Sequence, residues 1–315
     1  MAKRRTRRKQ KTVARKLLAA LLPLLVAALA GYGVWEYSPN LSLPAAAMPE
    51  GSLVAVQVID VGQGSSLLLH TGEHSVLIDA GEAQAYPAVS AQLGAWGIES
   101  LDLLVLTHPH TDHYGGMTDL LGDYEVETLW MPEIDESLLP TSASYEALLD
   151  AIEQNGCEVE LKNKPDSLSL GEGVTLTLLD GFAADPDNLN DTSLCLRIDA
   201  GEASFLVTGD GESAVEKQLL ESHAPVDVDL LVAGHHGSSS SSRQELLDAA
   251  TPKGSAISCG AGNSYGHPNA GTLERLAPFG PIYRTDLMGT ITFTTDGETI
   301  AVTAQGISDT IDAKG

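Results

Sequence analysis

The segment that most constrains this chain is the run Thr107-His108-Pro109-His110-Thr111-Asp112-His113, which places three imidazoles and a carboxylate close together. Residues 101–106 before it are mostly apolar and stop abruptly at the histidines, which predicts a buried strand followed by a functional loop. Alternate residues of an extended segment point the same way, so His108 and His110 are expected to close on one ion. Asp112 and His113, after the turn, then face a second ion. The run predicts two adjacent metal sites.

A simpler interpretation makes these residues a polar loop ahead of a helix. Asp112 would then be the N-cap, and Gly115-Gly116 would be turn material. A single histidine would favour this interpretation. A whole cluster does not, because buried imidazoles and a carboxylate are poorly satisfied without an ion.

Further motifs, taken in order, resemble the metallo-β-lactamase superfamily of hydrolases. The histidine run matches the signature of that family. Residues 76–81 resemble its early strand, which ends in an aspartate, here Asp79. Residues 205–210 resemble the strand that carries the bridging carboxylate, here Asp210, and residues 230–237 resemble the strand that ends in the last histidine. The resemblance covers roughly residues 53–302.

Four details are similar to one branch, which comprises the extracellular domain of ComEC-type competence proteins and the related phosphorylcholine esterase. They are Asp60-Val61-Gly62-Gln63-Gly64-Ser65, Gly234-His235-His236-Gly237-Ser238, Asn263-Ser264-Tyr265-Gly266-His267-Pro268 and Arg284-Thr285-Asp286. Their joint order is specific to this branch, although no single late motif is decisive.

The resemblance implies an α/β fold, the four-layer αββα metallo-β-lactamase sandwich, with the metals at one edge between two sheets. The apolar pattern agrees, because strands and helices alternate along much of the chain. Strands are predicted at 53–59, 66–69, 75–79, 102–106, 126–131, 174–179, 194–198, 203–208, 228–233, 255–259 and 290–294. Helices are predicted at 86–96, 143–155, 212–222, 243–250 and 270–277.

The resemblance also implies a site with two divalent metal ions, Zn or Mn, which share a bridging hydroxide as the nucleophile. Asp210 is expected to bridge the ions and Asp79 to fix an imidazole tautomer from outside the ligand shell. Of the adjacent His235 and His236, the one that is not a metal ligand is expected to contact an anionic oxygen or protonate the leaving group. The implied metal ligands are His108 and His110 on one ion, and Asp112, His113 and one of His235 or His236 on the other. The catalytic set is Asp112, His235, His236 and His267.

One element of the family pattern is missing. A further histidine usually completes the shell of the first metal, but this chain has no histidine between His113 and Asp210. The corresponding segment contains Asn190 and Asp191. An oxygen from either residue, or from water, would shift the preference from zinc toward a harder ion such as manganese.

The late motifs supply candidate substrate contacts. His267 precedes a proline in a turn, where a structural role and contact with a substrate phosphate are both compatible with the sequence. Asn263 and Tyr265 accompany it as substrate-binding candidates. Arg284 is one of few cations in the body and would suit a phosphate, although an ion pair with Asp286 is an equal alternative.

Ser238 begins the only low-complexity run, residues 238–242, which consists of five serines. The run predicts either a flexible loop or a lip rich in hydroxyl and amide groups that holds a phosphate. Ser238 is included among the substrate-binding candidates on the second interpretation.

The N-terminus indicates export. Residues 1–16 form a basic tail without acids, and residues 17–35 form an uncharged, mostly apolar run long enough to cross a bilayer. Ala28-Leu29-Ala30 could serve as a cleavage site, which would make the protein secreted, but the apolar run continues past it. The sequence favours a single-pass anchor with the catalytic body outside the cell. Residues 36–52 are predicted to be a linker, 53–305 the hydrolase domain and 306–315 a tail.

The exported body is strongly acidic. Nine of the 18 Lys and Arg residues lie in the basic tail, and only Glu36 and Glu50 of the 43 acids precede Gly51, so residues 51–315 carry a formal charge of −32. Non-specific DNA binding depends on cationic contacts with phosphates, so this charge argues against a long duplex as substrate.

The sequence therefore predicts a membrane-anchored hydrolase of phosphodiesters, acting on a small molecule or on single-stranded nucleic acid. A hydrolase of a lactone or a β-lactam is the alternative enzyme. A tethered binding module with an incomplete metal site is the non-enzymatic alternative. No obligate protein partner is evident from the sequence.

Overall fold

The computed structural model describes residues 45–182 and 188–314. The predicted basic tail and transmembrane segment therefore lie outside the described residues, as does most of the predicted linker. Among the helices that the structure describes, none has the length and apolarity needed to cross a membrane.

Two sheets form the centre of the fold. The first has nine strands in the order β16-β15-β14-β1-β2-β3-β4-β5-β6, and the second has seven in the order β13-β12-β11-β10-β9-β8-β7. The strands of the first sheet are β1 (Val54–Val58), β2 (Leu67–His70), β3 (Ser75–Ile78), β4 (Ser100–Val105), β5 (Glu125–Pro132), β6 (Glu158–Lys162), β14 (Ile291–Thr295), β15 (Thr299–Ala304) and β16 (Ile307–Asp312). Those of the second are β7 (Asp166–Ser169), β8 (Val174–Leu178), β9 (Leu196–Ala200), β10 (Ala203–Val207), β11 (Leu230–Val232), β12 (Gly254–Ile257) and β13 (Ile282–Arg284).

Eight α-helices accompany the sheets in the described part of the chain. They are α1 (Tyr86–Ala95), α2 (Thr111–Tyr114), α3 (Met117–Asp123), α4 (Ala143–Asn155), α5 (Ser213–Glu221), α6 (Gln244–Ala250), α7 (Ala270–Leu276) and α8 (Thr285–Met288). The five helices predicted from the sequence are confirmed with small shifts at their ends. The short α2, α3 and α8 were not predicted.

Three hydrophobic clusters explain the layering. The largest fills the space between the sheets, where Phe205 of β10 meets Phe293 of β14 edge to face at 6.3 Å between ring centroids. The second packs α1, α3 and α4 on the outer face of the first sheet, and the third packs α5, α6 and α7 on the outer face of the second. Each sheet thus buries one face against the other sheet and one against helices, which is the predicted four-layer α/β arrangement.

Five strands were not predicted; four of them are edge strands and the fifth, β15, lies next to an edge. The clearest correction concerns residues 306–315, which were assigned to a tail. Residues 307–312 instead form β16 and pair along their whole length with β15. This strand has few apolar side chains and is held by its backbone hydrogen bonds, so it lacks the apolar run that reveals an internal strand.

Parallel strand ends create the site. β3 and β4 are parallel in the first sheet, and β10 and β11 are parallel in the second. The backbone N–H of Leu194 donates to the carbonyl of Thr107 at 3.0 Å and joins the two sheets at this edge. The loops that follow these strands therefore meet between the sheets.

Candidate metal centre

The histidine run leaves β4 and turns into α2. His110, and not Asp112, is the residue before the first helical position, and its backbone is extended. The backbone N–H of His113 returns to the carbonyl of His110 at 3.0 Å. This tight turn brings the side chains on both sides of it to one place.

His108 and His110 face each other. Nε2 of His108 lies 3.0 Å from Nδ1 of His110, and His108 is fully buried. Burial lowers the pKa of His108 well below its ordinary value, and the neighbouring His113 adds to this effect. Burial likewise lowers the pKa of His110. Both rings are therefore held neutral, which is the form that binds a metal.

Asp79, directly after β3, orients the third histidine of the run. Its carboxylate accepts a hydrogen bond from Nδ1 of His113 at 2.7 Å. It also accepts hydrogen bonds from the backbone N–H and the hydroxyl of Thr107, at 2.9 and 2.8 Å. Nε2 of His113 is left facing Asp210 Oδ1 at 3.3 Å. This is the contact that the predicted role of Asp79 requires.

Asp210 lies at the centre of the cluster. Besides His113, three imidazole Nε2 atoms approach its Oδ2: those of His108 at 3.9 Å, His235 at 3.7 Å and His236 at 3.5 Å. Burial alone would raise the pKa of this carboxyl, but His236 and His113 outweigh burial and hold it well below the ordinary value. Asp210 therefore stays ionised in a buried position.

The ligand atoms fall into two overlapping groups, in each of which all atoms lie within 4.8 Å of one another. One group is His108, His113 and Asp210, and the other is Asp112, His113 and His236. Burial opposes ionisation of Asp112, but the His236 imidazole, whose Nε2 lies 3.2 Å from Oδ2, outweighs burial and lowers the pKa to about 2. The two groups contain five of the predicted ligands, with His113 in both, and neither group contains His110 or His235.

The buried nitrogens of the cluster fit a metal. Nε2 of His113 and Nε2 of His236 are buried and make no hydrogen bond within the described structure. Their Nδ1 atoms are already used, by Asp79 and by the carbonyl of Ser258 at 3.0 Å. A buried polar atom without a partner is costly, whereas a lone pair on Nε2 is a natural ligand for a divalent ion.

The twin histidines diverge. Both have left-handed backbones, with φ of 50° at His235 and 54° at His236. His236 turns inward, is buried, and reaches Asp112 Oδ2 at 3.2 Å. His235 keeps its side chain 20% exposed and places Nδ1 3.4 Å from Glu212 Oε1 and 3.3 Å from the Ser240 hydroxyl. Adjacent residues therefore meet the cluster from different directions.

The serine run is not a flexible loop, so that interpretation is wrong. Ser241 and Ser242 are buried, and the Ser241 hydroxyl donates to the carbonyl of Gly211 at 2.8 Å. Ser238 bonds the Ser240 hydroxyl at 3.0 Å, and Ser240 is the member that reaches His235. The run forms a fixed wall beside the cluster.

Two of the predicted substrate contacts are occupied by protein groups. The Asn263 side chain accepts the backbone N–H groups of Tyr265 and His267, each at 3.1 Å, and donates to the carbonyls of Gly260 and His267. All of its hydrogen-bonding capacity is used within its own loop, so it shapes the loop and is not free for a substrate. The Arg284 guanidinium forks onto Asp286 at 2.9 and 2.6 Å, which is the ion-pair alternative.

Tyr265 and His267 remain available. Tyr265 is 71% exposed, and its ring stacks on that of His267 at 5.8 Å between centroids. The His267 ring in turn meets His235 at 5.5 Å and His236 at 6.3 Å. This loop therefore extends the cluster toward solvent.

The family of the chain follows from comparison with known proteins. The profile described as the metallo-beta-lactamase superfamily matches residues 59–261. The chain belongs to this superfamily. Within it, ComE operon protein 3 of Bacillus subtilis (strain 168) is 31% identical over 257 residues, which make up 76% of this chain and 32% of that protein. Competence protein ComA of Neisseria gonorrhoeae is 31% identical over 282 residues, or 87% of this chain and 36% of that protein.

These relatives place the metallo-β-lactamase domain in the ComEC-type branch. The chain spans about a third of the length of the curated relatives that it matches. Among solved structures, the metallo-beta-lactamase fold protein YhfI from Bacillus subtilis has a TM-score of 0.52 and 15% identity, covering 77% of this chain and 100% of that one. This similarity shows a shared fold.

The segment where this superfamily usually has another histidine takes a different course here. Asn190 donates through Nδ2 to Glu212 Oε1 at 3.1 Å, and Asp191 Oδ1 accepts the backbone N–H of Glu212 at 3.2 Å. Neither residue belongs to the two ligand groups found among the described residues. Both contact Glu212, a residue that the sequence analysis missed. The available signal was its position two residues after Asp210 in Gly209-Asp210-Gly211-Glu212.

Proposed function

We propose that this chain is a membrane-anchored, dinuclear-metal hydrolase of phosphodiesters. The observation that supports this most directly is the set of four imidazole Nε2 atoms, from His108, His113, His235 and His236, around the ionised Asp210. Such a set suits two divalent ions, zinc or manganese, and bound ions would supply an activated water and polarise the oxygen under attack.

The residues around the ions have separate tasks in this proposal. Asp210 holds its negative charge between the two ligand groups, and Asp79 keeps the proton of His113 on Nδ1. Asp112 approaches His236 from the α2 side and belongs to the second group. His267 and Tyr265 lie toward solvent and are the candidates for contact with the substrate.

A phosphodiester suits the surroundings of the cluster better than an acyl compound. The mouth contains the imidazole of His267 and the hydroxyl of the exposed Tyr265, which can donate hydrogen bonds to anionic oxygens. The charge of the body favours a small or single-stranded one, because a long duplex would cross acidic surface.

The activity test compares substrates and one matched pair of variants of the full-length chain. With zinc or manganese, we expect cleavage of bis-p-nitrophenyl phosphate and of a single-stranded oligonucleotide well ahead of nitrocefin. Asp210→Asn should lower the rate at least about a hundredfold, because it removes the central charge. Asp150→Asn, the same change at an exposed position of α4, should not alter the rate. Faster cleavage of nitrocefin would favour the β-lactam alternative. Two bound ions without hydrolysis of any substrate would favour the binding module.

The proposed location rests on residues 1–35. We propose that the basic tail is cytoplasmic, that residues 17–35 cross the membrane and that the body lies outside, without an obligate protein partner. Protease added to intact cells stripped of their wall should digest the body. Full protection of the body, with an external control protein digested, would contradict this topology.

A further inference from the structure

We infer that His235 completes the shell of the first metal, in place of the histidine that this branch lacks between His113 and Asp210. The sequence left the twin histidines as alternatives for the second metal. Under this assignment, His236 would bind the second ion and His235 the first. This inference rests on the metal-binding part of the proposed function and not on the choice of substrate.

Four histidines of the cluster share one arrangement of their two ring nitrogens. In His108, His113 and His236, Nδ1 lies against an outer partner and Nε2 faces Asp210. The outer partners are the Thr107 hydroxyl at 3.3 Å, Asp79 at 2.7 Å and the Ser258 carbonyl at 3.0 Å, respectively. Histidines that bind metals usually show this arrangement, because the outer partner fixes the proton on the far nitrogen and leaves a lone pair for the ion.

His235 has the same arrangement. Its Nδ1 lies 3.4 Å from Glu212 Oε1 and 3.3 Å from the Ser240 hydroxyl, while Nε2 lies 3.7 Å from Asp210 Oδ2. The Ser240 hydroxyl also donates to Glu212 at 3.1 Å, so the acceptor is held in place. A histidine whose only task was to contact solvent or substrate would not need a carboxylate behind it.

His235 and His236 approach Asp210 from different sides. His236 reaches Asp112 of the second group, whereas the ring of His235 is turned by 73° from that of His236, with 6.2 Å between centroids. Nε2 of His235 approaches the same oxygen, Asp210 Oδ2, as Nε2 of His108 in the first group, at 3.7 and 3.9 Å respectively. This shared approach is the geometric basis for assigning His235 to the first metal.

The segment with Asn190 and Asp191 takes a different role from the histidine that is missing there. The segment that would carry it instead holds Glu212 through the Asn190 amide and the Asp191 carboxylate. Glu212 in turn holds His235. The segment thus supports a ligand from another loop in place of supplying one. The rival ligand is Asn190 Oδ1, which is buried without a hydrogen bond, and the experiment must separate it from His235.

The assignment changes the expected metal. With His108, His110, His235 and Asp210, the first site has three nitrogen ligands and one oxygen ligand, which suits tetrahedral zinc. An oxygen from Asn190 in place of His235 would move the preference toward manganese.

The test measures zinc binding without substrate. The full-length protein is stripped of metal and equilibrated at buffered free zinc, and bound zinc is determined by mass spectrometry. The variants are His235→Ala, Asn190→Ala, Asp112→Ala as the reference for loss of the second ion, and His74→Ala, a histidine paired with Asp102 away from the cluster, as the matched control. Far-ultraviolet circular dichroism of the metal-free proteins establishes that each variant is folded.

We expect His235→Ala to bind the first zinc at least about tenfold more weakly while keeping the second, and the His235→Ala/Asp112→Ala pair to lose both. Glu212→Gln keeps His235 as the ligand and changes only the group that contacts its Nδ1. It should therefore weaken binding of the first zinc ion by a smaller factor. His74→Ala should match the wild type. Two zinc ions bound with wild-type affinity in His235→Ala would overturn the inference, as would loss of the first ion in Asn190→Ala with none in His235→Ala. Because no substrate is present, a failed phosphodiesterase assay would leave this result unchanged.

Discussion

The Asp79 carboxylate accepts a hydrogen bond from Nδ1 of His113 at 2.7 Å, and neither side chain is exposed to solvent. When the His113 ring is neutral, this contact holds its proton on Nδ1 and leaves the lone pair of Nε2 facing Asp210. The same carboxylate holds the backbone and hydroxyl of Thr107, the residue that begins the histidine loop. The end of β3 therefore determines how the loop after β4 presents its nitrogens.

Replacement of Asp79 by Asn should weaken metal binding about 10- to 100-fold, the usual cost of changing a buried partner of a ligand. An asparagine side chain has one acceptor oxygen for the three donors that Asp79 accepts from. Its NH₂ group is itself a donor and would face one of them. Competition for zinc with a chromophoric chelator measures the affinity. The same substitution at exposed Asp150 should leave it unchanged. Wild-type affinity in Asp79→Asn would show that the hydrogen bond does not orient the ligand.

Gly64 packs against the backbone of the metal loop. A Cβ atom there would lie 2.5 Å from the Asp112 carbonyl oxygen, and the residue has φ of +143°. That carbonyl also accepts the backbone N–H of Ser65 at 3.0 Å. Gly64→Ala should therefore displace the loop of Asp112, destabilise the fold by about 1–3 kcal/mol and weaken the second metal site.

Gly62 is the matched control for this change. It belongs to the same motif and has φ of +71°, but no atom lies within 4 Å of an added Cβ. Gly62→Ala should cost only the backbone strain, about 1 kcal/mol, and leave zinc binding intact. Chemical denaturation and zinc titration of both variants measure the difference. Equal behaviour of the two would show that the contact with Asp112 is unimportant.

Glu216 couples stability to pH. Burial raises its pKa to about 7, although the backbone N–H groups of Ser242 and Arg243 donate to the carboxylate. The charges of Arg243 and Arg275 also oppose the rise. The unfolded chain has the ordinary pKa of 4.5, so folding favours the protonated acid. This stabilisation is fully present below pH 4.5 and is lost as pH rises through 7.

The difference between the two pKa values corresponds to about 3 kcal/mol across that interval. Glu216→Gln removes the titration. The free energy of unfolding of the wild type should therefore fall, relative to this variant, as pH rises through the interval. Urea denaturation with a chelator present makes the measurement without contributions from metal. Glu153→Gln, at an exposed position of α4, should follow the wild type. Parallel pH profiles for wild type and Glu216→Gln would contradict the prediction.

The charge of the body predicts how substrate length affects the rate. Close to the cluster, local attraction should dominate, because charges beyond about 8 Å are largely screened at physiological ionic strength. A dinucleotide and a single-stranded oligonucleotide should therefore be cleaved ahead of a duplex, and duplex cleavage should rise as salt screens the acidic surface. Rates across a salt series measure this. Preferred duplex cleavage that weakens with salt would indicate a cationic DNA track instead.

The site residues that follow apolar strands could be predicted because their signal is local. Asp79, His108 and Asp210 each come just after a buried run, and the ends of parallel strands meet at one edge of a sheet. The same logic predicted the layered fold and five of the eight helices in the described part of the chain. It failed for strands such as β16, because backbone pairing in an edge strand needs little apolar sequence.

What the sequence by itself determined is therefore the set of chemical groups and the edge of the fold where they gather. The tertiary structure alone decided their partners. Asn263 and Arg284 have the right chemistry for a phosphate, yet the loop backbone and Asp286 already engage them. Two adjacent left-handed residues point His235 and His236 in different directions. A hydrogen bond depends on distance and angle between groups that are remote in the chain, and residue type and spacing along the chain do not contain that information.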